Sequence, residues 1–319
     1  MTGMNRAVSP VYLSDISERD KPWDIHRAQA EAVEALYGVL GYQRYQERMG
    51  ACSGRLQFAL ISDGDDGVVP HLQSAFFCRV RTCPVCQWRR ALMWRARFYK
   101  AIPEYLNEHH GRRPVFLTLT VRNCAISELR QTVDQMNTAF KRMSQRKNWP
   151  GVAWVKSLEV TRGADGSAHP HFHVLMFVKP GYFQGKNYIK QAAWRELWRS
   201  CLRVDYLPVV NVKTVKSKTP TGDTLADIRV AILETLKYGV KPDDLTHDAE
   251  WLGELTRQLH KTRAVAVGGE LRPYLREDEP EDLVHDEDLE SEMAATEDDP
   301  RLVFDWMTTV KRYAQKLAN

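Results

Sequence analysis

Residues 169 to 178 read HPHFHVLMFV, with three histidines at alternate positions ahead of an apolar run. Side chains alternate between the two faces of a strand, so His169, His171 and His173 share one face. The stretch therefore predicts a buried strand with three imidazoles at one end. A lone histidine in such a place is usually satisfied within the core, but a cluster at this spacing favours a metal or phosphate site.

Composition narrows the classes of protein to consider. The chain has 319 residues, 43% hydrophobic and 27% charged, which suits a folded protein with a sizeable core. No apolar stretch is long enough to cross a membrane, and the first residues lack the basic start and apolar centre of a signal peptide. We therefore expect a cytoplasmic protein without membrane contact, in which the six cysteines ligate metal or are buried rather than paired.

The net charge of +4 hides an uneven distribution. Thirteen of the 41 acidic residues fall between Glu277 and Asp299, a segment without lysine or arginine, so 45 basic residues elsewhere stand against 28 acidic ones. This excess predicts a protein that binds a polyanion. The acidic segment 277–299 is interpreted as a solvated, poorly ordered loop, with a regulatory mimic of DNA or a partner site as the alternative.

The order of the remaining patterns predicts an α+β fold, in which a central antiparallel sheet carries helices on one face. From residue 114 onward, the periods indicate a strand, a helix, a hairpin, a helix, a strand and a helix that reaches Val240. A hairpin around Ala264 to Leu271 and a closing helix from about Leu302 follow. The predicted divisions are a helical segment 1–50, a cysteine region with a basic helix 51–110, a core 111–245 and a C-terminal part 246–319.

The cysteines near residue 80 have the spacing of a metal site. Cys83 and Cys86 enclose a tight turn that presents two thiolates to one metal, and Cys78 can supply a third. Tetrahedral zinc needs a fourth ligand, for which Cys52 is the first choice and His71 the second. Packing as small apolar residues is the alternative, but the surrounding sequence is too polar for a core, and no thioredoxin-like pattern supports a redox pair.

A helix rich in arginine and tryptophan follows the cysteines. A structural zinc site would hold this helix rigidly, so that its arginines could follow DNA phosphates, although an arginine-rich helix is often only a solvated face. The arginines predicted to contact DNA are Arg89, Arg90, Arg95 and Arg97.

The segment ILETLKYGVK, residues 232 to 241, gathers its polar side chains in one sector of a helical wheel. These side chains are Glu234, Lys237, Tyr238 and Lys241. A helical ion pair beside a boundary tyrosine would explain the pattern structurally. A tyrosine nucleophile, whose unperturbed pKa is about 10, would need cationic neighbours and a metal, which the lysines and the histidine strand could supply.

Two imidazoles and one carboxylate suit Mg²⁺ or Mn²⁺ when phosphate oxygens complete the coordination. Glu159 precedes the histidine strand across a predicted turn at residues 165–166, which indicates a hairpin. A two-residue loop would set Glu159 opposite Phe172, on the wrong face, whereas an odd loop or a bulge would set it opposite His171 or His173. Glu159 as the third ligand therefore requires the odd case, and an ordinary exposed strand residue is the alternative.

Three ordered stretches resemble motifs of the HUH endonuclease superfamily, named for two histidines separated by a hydrophobic residue. FLTLTVRN resembles its first motif, HPHFHVLMF its metal motif and ETLKYGVKPDD its tyrosine motif. The cysteine stretch CRVRTCPVCQWRR resembles the region upstream of these motifs in one branch of the rolling-circle replication initiators of small plasmids. The resemblance covers roughly residues 50 to 245.

This resemblance implies an HUH nuclease core of ferredoxin-like type with Tyr238 as the single nucleophile, Glu234 one helical turn earlier, and His171 and His173 as ligands of catalytic Mn²⁺ or Mg²⁺. Tyr238 would attack origin DNA, single-stranded or extruded as a hairpin, to give a 5′-phosphotyrosyl enzyme and a free 3′-OH primer. Glu234 would assist hydrolysis or strand transfer at termination. Lys241 would support the nucleophile and Lys237 the DNA. Host helicase and replication proteins are implied partners, and a homodimer is left open.

Rival functions remain open at this point. A conjugative relaxase or a single-strand transposase would share the chemistry. A nucleotide hydrolase of the histidine triad type would use the middle histidine as its nucleophile, but it would leave the cysteines and Tyr238 without a purpose. A non-catalytic, zinc-stabilised DNA-binding regulator would give the histidines a structural role.

Overall fold

The computed structural model describes residues 10–62, 68–215, 224–236, 239–275, 281–284 and 299–316. Its helices are α1 (Leu13–Ile16), α2 (Lys21–Val39), α3 (Gln43–Ala51), α4 (Pro84–Glu108), α5 (Leu129–Ser144), α6 (Gln191–Leu202), α7 (Thr224–Thr235), α8 (Pro242–Thr246) and α9 (Ala249–Gln258). Its strands are β1 (Arg55–Ser62), β2 (Val68–Ala75), β3 (Arg113–Thr120), β4 (Gly151–Arg162), β5 (Ala168–Val178), β6 (Val210–Thr214), β7 (Val265–Gly269), β8 (Arg301–Met307) and β9 (Arg312–Gln315).

The chain divides into two compact units, one of residues 1–89 with 282–319 and one of residues 90–281. The first unit contains a four-stranded sheet of order β2-β1-β8-β9, and the second a five-stranded sheet of order β6-β3-β5-β4-β7. Neighbouring strands are antiparallel in both sheets. The predicted α+β class is therefore confirmed. Within the described ranges, the helices lack the combination of length and apolar character needed to cross a membrane.

The predicted closing helix from Leu302 is wrong. Residues 301–315 instead form β8 and β9, and β8 pairs with β1 so that Phe304 lies opposite Leu56. Phe304 and Tyr313 are fully buried, and the Phe304 ring meets Phe58 edge-on with centroids 5.9 Å apart. Packing the aromatic and β-branched side chains of this segment between neighbouring strands stabilises the fold more than a local helix would.

The predicted hairpin around Ala264 to Leu271 is also wrong, because β7 pairs with β4 at the edge of the five-stranded sheet. The partner of Val267 is Val155, more than a hundred residues earlier. Gly269 ends β7 with φ +66, and a Cβ there would lie 2.0 Å from the Val152 carbonyl oxygen. This close approach of two backbones requires glycine. Such a long-range pairing leaves no local signal in the sequence.

Helices cover both faces of the five-stranded sheet, so the prediction of helices on one face is wrong. On one face, Phe140 of α5 packs edge-on against Phe172 of β5, with ring centroids 6.2 Å apart. On the other face, Leu175 and Phe177 are fully buried in a cluster that also contains residues of α4, α7 and β7. Complete burial of each such side chain contributes about 1.5–3 kcal/mol.

A five-residue loop, 163–167, joins β4 to β5 between the paired residues Arg162 and Ala168. The Gly163 amide donates to the Ser167 carbonyl at 2.8 Å, and Asp165 Oδ1 accepts the Ser167 amide at 3.0 Å. Gly166 has φ +80, a left-handed conformation that favours glycine. Because the loop has an odd number of residues, Glu159 lies opposite His171, which is the register required for its assignment.

Candidate active site

Three polar side chains meet on the buried hairpin of β4 and β5. Glu159 Oε2 lies 2.7 Å from His173 Nε2 and 3.2 Å from His171 Nε2. All three residues are buried, and their ligand atoms lie within 4.8 Å of one another. The alternation of β5 turns both histidines to the face that carries Leu175, and the register of β4 brings the carboxylate to the same face. We name this group the metal triad.

The hydrogen bonds of the metal triad suit a divalent cation. Burial acts to raise the pKa of Glu159, but the hydrogen bonds and charges of His171 and His173 outweigh it and hold that pKa far below its usual range. The His171 Nδ1–H donates to the His169 carbonyl at 3.2 Å, so the proton that Nε2 shares with Glu159 is the one that a metal would displace. His173 Nδ1 is buried without a hydrogen-bond partner among the residues that the structure describes, and the His173 ring stacks on Phe116. Two imidazole nitrogens and a carboxylate oxygen can therefore hold Mn²⁺, Mg²⁺ or a heavier metal.

His169 flanks the metal triad and is held by a separate chain of hydrogen bonds. Its Nδ1 lies 2.6 Å from Asn123 Oδ1, and Asn123 Nδ2 donates to Ser167 Oγ at 2.9 Å. Ser167 Oγ in turn donates to Asp165 Oδ1 at 2.6 Å. Burial, with the charge of His171, lowers the pKa of His169. Sequence reasoning missed Asn123, because only the tertiary structure brings the end of β3 to the hairpin loop.

The chain on either side of residues 237–238 is attached to β4 next to Glu159. Ser157 Oγ donates to the carbonyl of Thr235, the last residue of α7, and both residues are buried. The Val160 amide donates to the Gly239 carbonyl at 2.9 Å, and Val240 forms a parallel bridge with Val160. These two attachments bracket Glu159 along β4. Sequence reasoning also missed Ser157, whose type carries no signal for this contact.

The observed helix α7 is shorter than the predicted tyrosine helix. Glu234 lies on α7 and is half-buried, but α7 ends at Thr235, and Lys241 is exposed in an extended conformation beyond it. The grouping of Lys241 with Glu234 on one helix is therefore wrong. The helix cannot continue because Val240 bridges to β4, and because a residue before proline, here Lys241, is disfavoured in the helical region. Lys237 and Tyr238 lie outside the described residues.

The four predicted zinc-site cysteines converge in the first unit. Cys86 Sγ lies 3.6 Å from the sulfurs of both Cys52 and Cys78, and Cys83 Sγ lies 3.7 Å from that of Cys52. Tetrahedral zinc with bonds of about 2.3 Å would separate its sulfurs by about 3.8 Å. Cys52, rather than His71, completes the group of four buried thiols.

Backbone amides surround the cysteine sulfurs. The amides of Cys78 and Arg79 donate to Cys52 Sγ at 3.4 Å and to Cys86 Sγ at 3.3 Å. Hydrogen bonds within the cluster lower the pKa of Cys78, whereas burial and the neighbouring thiols raise that of Cys83. Amide donors aimed at sulfur favour thiolates, as ligation of a metal requires.

The arginines of α4 differ in their surroundings. Arg89 is 2% exposed and donates to the carbonyls of Leu283 and Val284, each at 2.8 Å, so its expected contact with DNA is wrong. Its guanidinium is used to satisfy backbone oxygens inside the first unit. Arg90 pairs with Glu281 at 2.9 Å in the second unit. Arg95 and Arg97 are half-buried, and Arg97 lies over the Trp94 ring.

Residues 69–314 match the model of a family described as replication protein. The chain is 33% identical over 312 residues to protein rep of Streptococcus pneumoniae serotype 2 (strain D39 / NCTC 7466), with 93% of each chain covered. It is 35% identical over 287 residues to protein rep of Bacillus amyloliquefaciens, with 83% of each chain covered. No solved structure gives a significant match. The chain therefore belongs to the replication protein family, and its resemblance to plasmid rolling-circle replication initiators is confirmed.

Proposed function

We propose that this replication initiator is a metal-dependent endonuclease and strand transferase that nicks single-stranded origin DNA with Tyr238. The phenol oxygen would form a bond to the scissile phosphorus and lose its proton. The 3′ oxygen would leave, take up a proton and become the free 3′-OH that primes synthesis, while the 5′ phosphate stays on the tyrosine. Because the new ester keeps the energy of the broken one, no nucleotide cofactor is needed.

One observation carries this proposal. The attachments of Thr235 to Ser157 and of Gly239 to Val160 hold the chain on both sides of Tyr238 against β4. Glu159 lies between these two attachment points, and its carboxylate meets His171 and His173. A nucleophile carried on this short connection is therefore restricted to the neighbourhood of the metal triad.

The residues around the nucleophile have separate roles. Glu159, His171 and His173 hold the cation, and Lys241 supplies positive charge where the phenolate develops. A bound Mn²⁺ or Mg²⁺ supplies polarisation of a phosphate oxygen. Glu234, on the last turn of α7, activates water or the displaced strand when the cycle terminates.

The remaining assignments concern structure and partners. The four cysteines bind zinc and fix the start of α4, which includes Cys86. Arg90, Arg95, Arg97 and Lys237 contact DNA phosphates, with Arg90 released from Glu281. The protein acts in the cytoplasm with a host helicase and replication proteins, and a homodimer is the oligomeric state to test against a monomer.

The decisive experiment is incubation of the full chain with a single-stranded origin oligonucleotide and Mn²⁺, followed by mass spectrometry of the products. We expect a covalent adduct on Tyr238 that Tyr238→Phe abolishes. Tyr188→Phe is the matched control, because Tyr188 is 46% exposed and lies outside the three motifs. Hydrolysed nucleotides without an adduct would indicate a histidine-triad hydrolase, and binding without cleavage would indicate a regulator.

The roles of Glu159 and Glu234 are separable in the same assay. Glu159→Gln keeps the size of the side chain but removes its charge, so we expect loss of bound Mn²⁺ and of the adduct together. Glu234→Ala should still form the adduct but release it slowly. Normal release by Glu234→Ala would refute its assigned part in termination.

A further inference from the structure

The metal-triad face of the five-stranded sheet continues over β3, where Thr118 and Thr120 are half-buried, and becomes exposed at β6. Directly opposite residues on neighbouring strands share a face, so the pairs of Thr118 with His173 and with Asn211 form one row across three strands. A second row runs from His171 to Thr120, which lies opposite it on β3. Asn211 and Lys213, both exposed on β6, extend the surface away from the triad.

A loop, residues 203–209, closes this surface at the triad end. Thr120 donates to the Val209 carbonyl through its amide at 3.2 Å and through its hydroxyl at 2.9 Å. The Arg122 amide donates to the Tyr206 hydroxyl at 3.1 Å, and Arg195 Nε donates to the Pro208 carbonyl at 3.2 Å. The loop is thus fixed at three points before any ligand binds, which lowers the entropic cost of binding.

Where loop 203–209 meets the end of β3, a cationic side chain lies next to aromatic and apolar side chains. The exposed Arg122 guanidinium lies over the Tyr206 ring, 4.3 Å from its centroid. In the described part of the chain, Arg122 forms no ion pair with a carboxylate. Leu207 and Val209 are 42% and 64% exposed, whereas Val210, the next residue, is completely buried.

We propose that Arg122, Tyr206, Leu207 and Val209 form a nucleotide subsite that holds one unpaired base of single-stranded DNA beside the scissile phosphate. The base packs on the tyrosine ring and the apolar side chains, and Arg122 contacts the adjoining phosphate. Stacking on an aromatic side chain with a cation at the backbone is how proteins hold single strands. The excess of basic residues outside the acidic segment favours this occupant over an apolar peptide. The proposal rests on the proposed function, because it takes the metal triad as the place of cleavage.

The register explains why the subsite adjoins the reacting bond. His171 and Thr120 are cross-strand neighbours, with Cα atoms about 4.5–5.5 Å apart. Arg122 follows Thr120 by two residues, and Val209 is bonded to Thr120 from the other side. The subsite therefore begins one strand away from the metal triad, about the span of one nucleotide, and a duplex base could not reach the ring without leaving its stack.

The test measures DNA binding without cleavage, in the full, zinc-loaded chain carrying Tyr238→Phe and without added Mn²⁺. Origin oligonucleotides carry 2-aminopurine at successive positions around the nick, since its fluorescence is quenched by stacking. We expect quenching at one or two adjacent positions. Tyr206→Ala should remove it and weaken binding about fivefold to 150-fold, whereas Tyr206→Phe should keep it.

Arg122→Ala should weaken binding and reduce the salt dependence by about one phosphate contact. Tyr188→Ala and Arg257→Ala are the controls, because both residues are exposed and lie outside the subsite. Equal affinity of parent and Tyr206→Ala, or equal losses in the controls, would overturn the subsite. Thermal unfolding of each variant checks the fold. If Tyr206→Ala is unstable, an absence of quenching at every position in the parent, or parent-like binding by Arg122→Ala, would still overturn the subsite.

The two proposals fail in different ways. If Tyr238 forms no adduct but binding still depends on Tyr206 and Arg122, the nucleophile is wrong and the subsite stands. If the adduct forms while both variants bind DNA like the parent, the subsite is wrong and the nucleophile stands.

Discussion

Ser157→Ala tests whether β4 positions the segment that carries the nucleophile. The hydroxyl of Ser157 donates to the carbonyl of Thr235, the last residue of α7, and the last four carbonyls of a helix lack a partner within that helix. Both residues are buried, so water cannot simply replace the lost donor. Leaving a buried carbonyl unsatisfied costs about 1–3 kcal/mol. The ratio of attached to detached forms of this segment should therefore fall about fivefold to 150-fold.

Hydrogen exchange measures this ratio directly at the neighbouring attachment. The Val160 amide is protected by the Gly239 carbonyl, so its exchange rate should rise by the factor by which detachment becomes more frequent. Adduct formation should slow while zinc content stays constant. Ser144→Ala is the matched control, because Ser144 also donates to a carbonyl, that of Lys141, but on exposed α5 surface. Unchanged exchange at Val160 together with an unchanged rate of adduct formation would refute the reasoning.

Three further predictions concern the rest of the chain. Cys52→Ser should reduce the zinc content from about one ion per chain to about none by elemental analysis, whereas Cys124→Ser should retain the metal; equal contents would exclude Cys52 as a ligand. Burial, together with the charge of Arg263, lowers the pKa of Lys156 to about 8. The unfolded chain keeps that proton up to about pH 10.4, so the contribution of Lys156 to the free energy of unfolding should rise with pH between these values. Chemical denaturation should show this rise in the parent but not in Lys156→Met. Arg89→Lys should cost about 1–3 kcal/mol of stability by losing buried contacts to carbonyls, yet leave DNA affinity unchanged; weaker binding would contradict its interior role.

Short-range patterns predicted the features that depend on a few neighbouring residues. The alternation of His169, His171 and His173 predicted β5 and its polar end. The spacing of Cys78, Cys83 and Cys86 predicted the cysteine cluster. Both patterns work because a strand or a tight turn places side chains at fixed geometry whatever surrounds it. The parity argument for Glu159 is of the same kind, since it needs only the length of one loop.

Features that depend on partners distant in the chain were not predicted. The end of α7 is decided by the bridge of Val240 to β4, and the strand nature of residues 301–315 by pairing with β1. The interior position of Arg89 is likewise decided by carbonyls almost two hundred residues away. In each case the local sequence is compatible with the predicted conformation, but a tertiary contact stabilises a different conformation by more than the local preference favours the predicted one.

The length of the loop between β4 and β5 determines which side chains form the metal triad. β4 contributes the Ser157 and Val160 attachments and the Glu159 carboxylate within four residues, about 10 Å of strand, so these features keep their spacing whenever the strand forms. His171 and His173 belong to β5, and only the register across the loop brings them to the carboxylate. A loop of four residues would turn both imidazoles to the face where Phe172 now packs. The hydrogen bonds and the left-handed glycine of residues 163–167 therefore select the ligands of the metal triad, although none of these residues is itself a ligand.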